Sequence, residues 1–313
     1  MNWLEVSLTV NGEIAEAVAD VLSRYSPNGV MAEQGIRHFD DEDLGTPDGP
    51  ITVRAYLPAD EHLQEARRQV EEALHYLGMI EALPAPTFRS VPEQNWMESW
   101  KQHYRPIPIG RRLMVVPAWI ESADPRRIAI KINPGMAFGT GTHPSTQLCL
   151  EFMDAFFEGM GTSPGAAVST PGPDFIDIGC GSGILSIAAL KLGARSALGV
   201  DIDATSLGNA RDNAKANGVG SELVLGEGSV REILHGGFGL RSAPLVAVNI
   251  LAPVIVRLFV EGLANLLEPG GSMILAGILV TQAGEVEEAA QRAGLALLEQ
   301  RQMGEWVALC MAR

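Results

Sequence analysis

Three glycines at alternate positions, Gly179, Gly181 and Gly183, follow an apolar run that ends in an acid, within "FIDIGCGSGILSIAAL". Glycines so spaced let a ligand touch the backbone. The apolar stretch after them reads as a helix whose first amides can face an anion. The spacing is G-x-G-x-G, not the G-x-G-x-x-G of a dinucleotide pyrophosphate site. Ile184 and Leu185 stand where a P-loop has its Lys-Ser/Thr pair, so no grip on a polyphosphate is indicated. A single carboxylate would suffice. Asp201, in "GVDID", lies 22 residues after Gly179 and ends the next strand beside the same crevice. Its carboxylate can accept both hydroxyls of a ribose. Asn249, in "AVNILAP", ends a further strand that opens onto that crevice. Its amide oxygen can accept a hydrogen bond from an amine.

Each feature has a plainer reading. The glycines suit a tight turn, Asp201 a helix cap (Asp203 is the better placed), and Asn249 a loop brace. One ligand unites them: S-adenosylmethionine carries a carboxylate at one end and a ribose at the other.

The elements that must position these residues follow from the pattern. Strand 174–178 leads to helix 183–192, and strand 196–200 to helix 204–217. Strand 222–226 and a short irregular segment lead to strand 244–249, helix 253–267, strand 272–276 and helix 281–292. Two strands, "LALLEQRQ" and "EWVALCMA", close the chain. Strand-helix alternation predicts a parallel doubly wound sheet, and the terminal hairpin adds an antiparallel strand to it. Upstream, "NPGMAFGTGTHPST" leads into a helix with Pro144 in the first turn and Thr142 or His143 as cap. Gly135, Gly139 and Gly141 suit hinges for a loop over the ligand, residues 134–146. His143 reads as structural. Residues 159–173 read as a surface loop.

The first part of the chain is different. Its order is β-α-β-β-α-β, the ferredoxin-like plan, with an acidic loop at 40–50. Trp96, Trp100 and Tyr104 then recur every fourth residue, an aromatic stripe on a linker helix. The organisation predicted is residues 1–92, a linker helix 93–106, and 107–313.

Composition narrows the function classes. The formal charge is −15, spread over both halves: 10 basic and 18 acidic residues give −8 in 1–120, and the remaining 13 and 20 give −7. Sequence-specific nucleic-acid binding is not indicated. Either the charge is solubilising or it steers a basic protein substrate. Cys149, Cys180 and Cys310 are scattered, with no metal or disulfide spacing, which fits the cytoplasm. The start, "MNWLEVSLTV", has no basic leader. The most lipid-like window, "LVAVNILAPVIVRLFV", contains Asn249, Pro253 and Arg257, so no membrane span is expected.

Taken together, "FGTGTHPST", "DIGCGSGILSIAALKLGA", "VDID", "RDNAKANGV", "VNILA" and the closing "EWVALCMAR" resemble the PrmA-type ribosomal protein L11 methyltransferases. The resemblance spans the whole chain. Ser145 departs from the family's usual Thr and keeps the hydroxyl. The resemblance implies an α/β chain: a class I methyltransferase domain, Rossmann-like, after a ferredoxin-like substrate-recognition domain. It implies that Thr146, in the loop, together with Gly179, Asp201 and Asn249 contacts S-adenosylmethionine, and that Asn249 also holds the amine. No metal is implied. The implied substrate is the large-subunit ribosomal stalk-base protein, methylated on lysines and its N-terminal amine. A monomer is expected. Two rivals stay open: a methyltransferase for another protein lysine or a small amine, and a non-catalytic binding module on ribosomal particles.

Overall fold

Alternate residues of Trp3–Val10 are apolar, and Val6, Leu8 and Val10 are buried on one side. That strand, β1, begins the first of two compact units into which the chain divides. The computed structural model describes residues 3–26, 30–37, 46–79, 82–91, 106–120, 124–133, 141–160 and 172–313. The aromatic stripe of the linker helix, the acidic loop 40–45, residues 134–140 and most of the loop 159–173 lie outside them.

The first unit continues with α1 (Gly12–Ser23), β2 (Val30–Arg37), β3 (Thr46–Pro58), α2 (Leu63–Gly78) and β4 (Thr87–Val91). The strand order is β2-β3-β1-β4, antiparallel throughout. This is the expected split β-α-β arrangement. Ile14, Val18 and Leu22 of α1 recur every fourth residue, and with Val70 and Leu74 of α2 they form one core with the sheet. On the opposite face Glu5 accepts a bond from the Tyr56 hydroxyl at 3.0 Å. Strand β3 starts five residues before the expected Ile51. Pro47 and Pro50 are tolerated there because that stretch pairs with β2 alone; pairing with β1 begins at Ile51.

The second unit opens with a small sheet, β5 (Ile107–Ile109), β6 (Leu113–Pro117) and β7 (Ile128–Ile132), followed by α3 (Pro144–Gly159). Then come β8 (Asp174–Ile178), α4 (Ile184–Leu192), β9 (Ser196–Asp201), α5 (Ala204–Ala216) and β10 (Leu223–Glu227). The chain continues with α6 (Val230–Leu234), β11 (Ala243–Asn249), α7 (Ala252–Val260), β12 (Leu267–Leu279), α8 (Ala283–Arg292), β13 (Ala296–Met303) and β14 (Trp306–Ala312). The seven-stranded order is β10-β9-β8-β11-β12-β14-β13, and β14 alone runs against the direction of the other six. Both faces are buried. Ile176, Ile178, Val246 and Val248 pack with Ile255 and Leu258 of α7. Phe175, Leu245 and Ala247 pack with Leu148 of α3 and Ile187 of α4 on the other side.

The second unit departs most from the sequence reading after β10 and around the helix expected over 253–267. The segment after β10 contains the short helix α6, where Glu232 accepts from Ser229 N at 2.9 Å. The helix expected over 253–267 stops at Val260, because Gly262 takes φ 101°, and a 3₁₀ turn, Leu263–Leu266, follows. Strand β12 is correspondingly longer than 272–276.

Candidate cofactor and amine site

Strand β8 lies inside the large sheet, with β9 on one side and β11 on the other, so the winding reverses there. Open α/β sheets bind ligands at such a switch point, outside the strand carboxyl ends. Gly179 follows the last residue of β8, Asp201 ends β9 and Asn249 ends β11. Ile178 pairs with both Val200 and Val248, so the three site residues emerge side by side.

The glycine loop is held from β9. Gly179 N and Cys180 N both donate to Val200 O, at 2.8 and 3.0 Å. Gly181 N donates to Asp201 Oδ2 at 2.9 Å, and Asp203 N to Asp201 Oδ1 at 3.0 Å. Gly179 has φ 71°, and a Cβ there would collide with Ile250 Cγ2, so only glycine fits. Gly183 is the N-cap of α4, not its first turn, at φ 76°. It brings no capping side chain and there is no acid in the first turn, so the helix presents backbone amides toward the loop. The cap of α5 is Asp203, which accepts from Thr205 N at 2.9 Å. Asp201 is thereby spared the capping role that the plainer reading gave it.

Thr146 is not in the loop. It lies in the first turn of α3, 1% exposed. Pro144 opens that helix and His143 caps it, accepting from Ser145 N at 3.2 Å. The His143 ring meets Trp306 of β14 edge-on at 4.5 Å, which supports its structural reading. Buried so, the Thr146 hydroxyl reaches Asn249, whose Nδ2 donates to Thr146 Oγ1 at 3.3 Å. The donor end of the Asn249 amide is engaged by protein, and no described residue donates to its carbonyl oxygen. Helix α3 is itself anchored. Asp154 accepts from Arg111 N, Arg112 N and Arg112 Nε, at 2.7, 3.2 and 2.6 Å.

The site thus brings together all four residues that the sequence singled out. Helix amides suit a carboxylate, the Asp201 oxygens suit a ribose, and the Asn249 amide stands at the end of β11, on the other side of β8 from Asp201. S-adenosylmethionine fits that set of groups. The sequence matches the family described as "Ribosomal protein L11 methyltransferase (PrmA)" over residues 2–313. The chain belongs to this family. The "Ribosomal protein L11 methyltransferase" of Geobacter metallireducens is 38% identical, covering 98% of this chain and 97% of that one. That of Chloroflexus aurantiacus is 36% identical, covering 100% and 98%. A crystal structure titled "ribosomal protein L11 methylase", from Lactobacillus delbrueckii subsp. bulgaricus, is similar at TM-score 0.54 and 28% identity. It covers 67% of this chain and 98% of that one. The cofactor of the PrmA family is S-adenosylmethionine.

Two residues of this PrmA-family site were not read from the sequence. Asp177 of β8 is 1% exposed, and its Oδ2 accepts from Ser186 N and Oγ at 3.1 and 2.7 Å. Its Oδ1 is buried without a partner. Burial raises its carboxyl to about 7, against the two bonds from Ser186. Asn213 of α5 is 2% exposed. In "RDNAKANGV" two asparagines stand four apart, on the face where Ala210 and Ala214 are buried. Amides at apolar positions of a helix were the readable sign.

Proposed function

We propose that the protein transfers methyl groups from S-adenosylmethionine to lysine side chains and the N-terminal amine of ribosomal protein L11, the large-subunit stalk-base protein. The observation that carries this reading is the Asn249 amide, at the end of the strand beside the glycine loop and oriented by Thr146. When bound, the cofactor supplies an electrophilic sulfonium methyl. Gly179, Asp201 and Asn249 would contact it, with Thr146 acting on it through Asn249; the helix amides of α4 would take its carboxylate and Asp201 its ribose.

Asn249 is the catalytic residue. Its carbonyl oxygen accepts an N–H of the incoming amine and so fixes the direction of the nitrogen lone pair. The amine must be neutral. From an ordinary lysine pKa of about 10.4, deprotonation at pH 7 costs roughly 4–5 kcal/mol. An apolar surround lowers that cost by disfavouring the ammonium. The proton leaves to water before attack, so no strong base is required.

Residues 107–313 form the methyltransferase domain and residues 1–92 dock the substrate protein, joined through 93–106. The acidic charge of both halves suits a basic protein substrate. The enzyme acts as a monomer in the cytoplasm, without sequence-specific nucleic-acid binding. No helix among the described residues is long and apolar enough to cross a membrane.

The test is intact-mass analysis of L11 after incubation with enzyme and cofactor. Stepwise gains of one methyl each are expected. Cofactor turnover on other amines with unmodified L11 would point to a different substrate. Cofactor binding with no transfer to any amine would leave a binding module.

A further inference from the structure

Strand β7 is the outer strand of the small sheet, and its free edge is covered by side chains of α5. Asn217 acts there as a strand partner. Its Oδ1 accepts from Lys131 N at 2.8 Å and its Nδ2 donates to Lys131 O at 2.6 Å. A side-chain amide thus satisfies both backbone groups of one residue. One turn earlier, Asn213 does something different. Its Oδ1 accepts from Asn133 N at 2.9 Å, one residue past the end of β7. Its Nδ2 donates to Ser182 O, also at 2.9 Å, inside the glycine loop. One buried amide therefore ties the loop to the chain leaving β7.

The same loop is seated on α5 at a second point. A Cβ on Gly183 would lie 3.0 Å from Ala210 Cβ, one turn before Asn213. The chain at Gly141, which leads into α3 and Thr146, is also fastened nearby. At φ 84°, a Cβ on Gly141 would lie 2.7 Å from Val115 Cγ1 and 3.3 Å from Ile184 Cδ1. Ile184 is the first residue of α4, next to the loop. Asn133 and Gly141 are thus both held against the stretch Ser182–Ile184, one by a buried amide and the other by close packing.

We propose that Asn213 is a positioning residue that couples the glycine loop to the chain at Asn133, so that ligand binding at the loop also tightens the end of β7. The inference rests on the reading of the glycine loop as the cofactor site. Asn213 touches no reacting group; it acts through Ser182 and Asn133. Its amide has one acceptor and one donor facing opposite partners, so no carboxylate or alkyl side chain replaces both. Asn217 provides the matched comparison. It covers the same strand from the C-cap of the same helix and does not reach the loop.

The experiment compares wild type, Asn213→Ala, Asn213→Asp and Asn217→Ala in the full chain. S-adenosylhomocysteine affinity is measured by calorimetry, and amide hydrogen exchange is followed with and without that ligand. Both alanine variants should melt earlier. Asn217→Ala should bind within about twofold of wild type. Asn213→Ala should bind about tenfold more weakly, the scale of one buried hydrogen bond. Asn213→Asp keeps the acceptor for Asn133 and loses the donor to Ser182. It should bind weakly too, and it serves if the alanine variant does not fold. In wild type the ligand should slow exchange both in residues 179–186 and in 128–133. In the Asn213 variants the second effect should be lost. Equal affinities and equal protection in the Asn213 and Asn217 variants would overturn the proposal while leaving the cofactor site intact. A wild-type protein that binds no S-adenosylhomocysteine would overturn the site reading and, with it, the proposal.

Discussion

Asn249 Nδ2 donates to Thr146 Oγ1 across 3.3 Å, joining two residues 103 positions apart. The bond fixes which end of the amide faces the crevice. Asn249→Ala removes the acceptor for the amine and leaves the glycine loop and Asp201 in place. Turnover should therefore fall more than cofactor affinity, since interactions made mainly in the transition state appear in kcat. Thr146→Val keeps the shape and loses the hydroxyl, so it should reproduce part of this loss by freeing the amide to rotate. Single-turnover transfer and calorimetric affinity on the same preparations provide the check. A near-normal single-turnover rate in Asn249→Ala would return this residue to a brace for the strand end.

Asp201 accepts from Gly181 N and Asp203 N while its carboxylate lies at the crevice. Asp201→Ala should weaken cofactor binding by about 1.5–3 kcal/mol, the scale of lost charge-assisted bonds. The domain should stay folded, because the cap of α5 is Asp203. Calorimetry on the folded variant measures this, and unchanged affinity would remove Asp201 from the ribose.

These two residues were legible because they end strands. Strand alternation and the glycine run place Gly179, Asp201 and Asn249 at one sheet edge before any coordinates are known. Thr146 was legible only through its motif. Its helical position depends on where His143 caps α3, and its partner lies on a distant strand. Asn213 and Asp177 were hidden for a related reason. A polar residue on an apolar face announces a buried bond, but its partners, Ser182 and Asn133 or Ser186, are set by packing between elements. The α6 helix was missed because five residues carry too little periodicity to register.

The first unit contains none of the four site residues, and its core closes on itself. Deleting residues 1–92 should leave a domain that binds the cofactor with near-native affinity and scarcely methylates L11. Calorimetry and intact-mass analysis on the truncated protein separate these outcomes. Full activity on L11 after truncation would end the docking role of the first unit.

Asp177 carries a sign that can be checked with pH. Its carboxyl is raised to about 7, chiefly by burial, with Asp201 adding to the rise and the bonds from Ser186 opposing it. Cys149 and Cys180 feel its charge and are themselves pushed up by burial, so they stay neutral thiols in this range. An acid with a raised folded pKa holds its proton more tightly when native than when unfolded. Below about pH 4 both states are protonated and the group contributes no pH dependence. As pH rises to about 7 the unfolded carboxyl ionises first, so stability falls through that window and the loss is complete above it. Asp177→Asn has a similar shape, can still accept from Ser186 and does not titrate. Its stability relative to wild type should therefore rise between about pH 5 and pH 8, by on the order of a few kcal/mol. Urea denaturation of both proteins across that range measures the difference directly. A difference that stays flat with pH would mean that Asp177 ionises alike in both states, and that water reaches its buried oxygen.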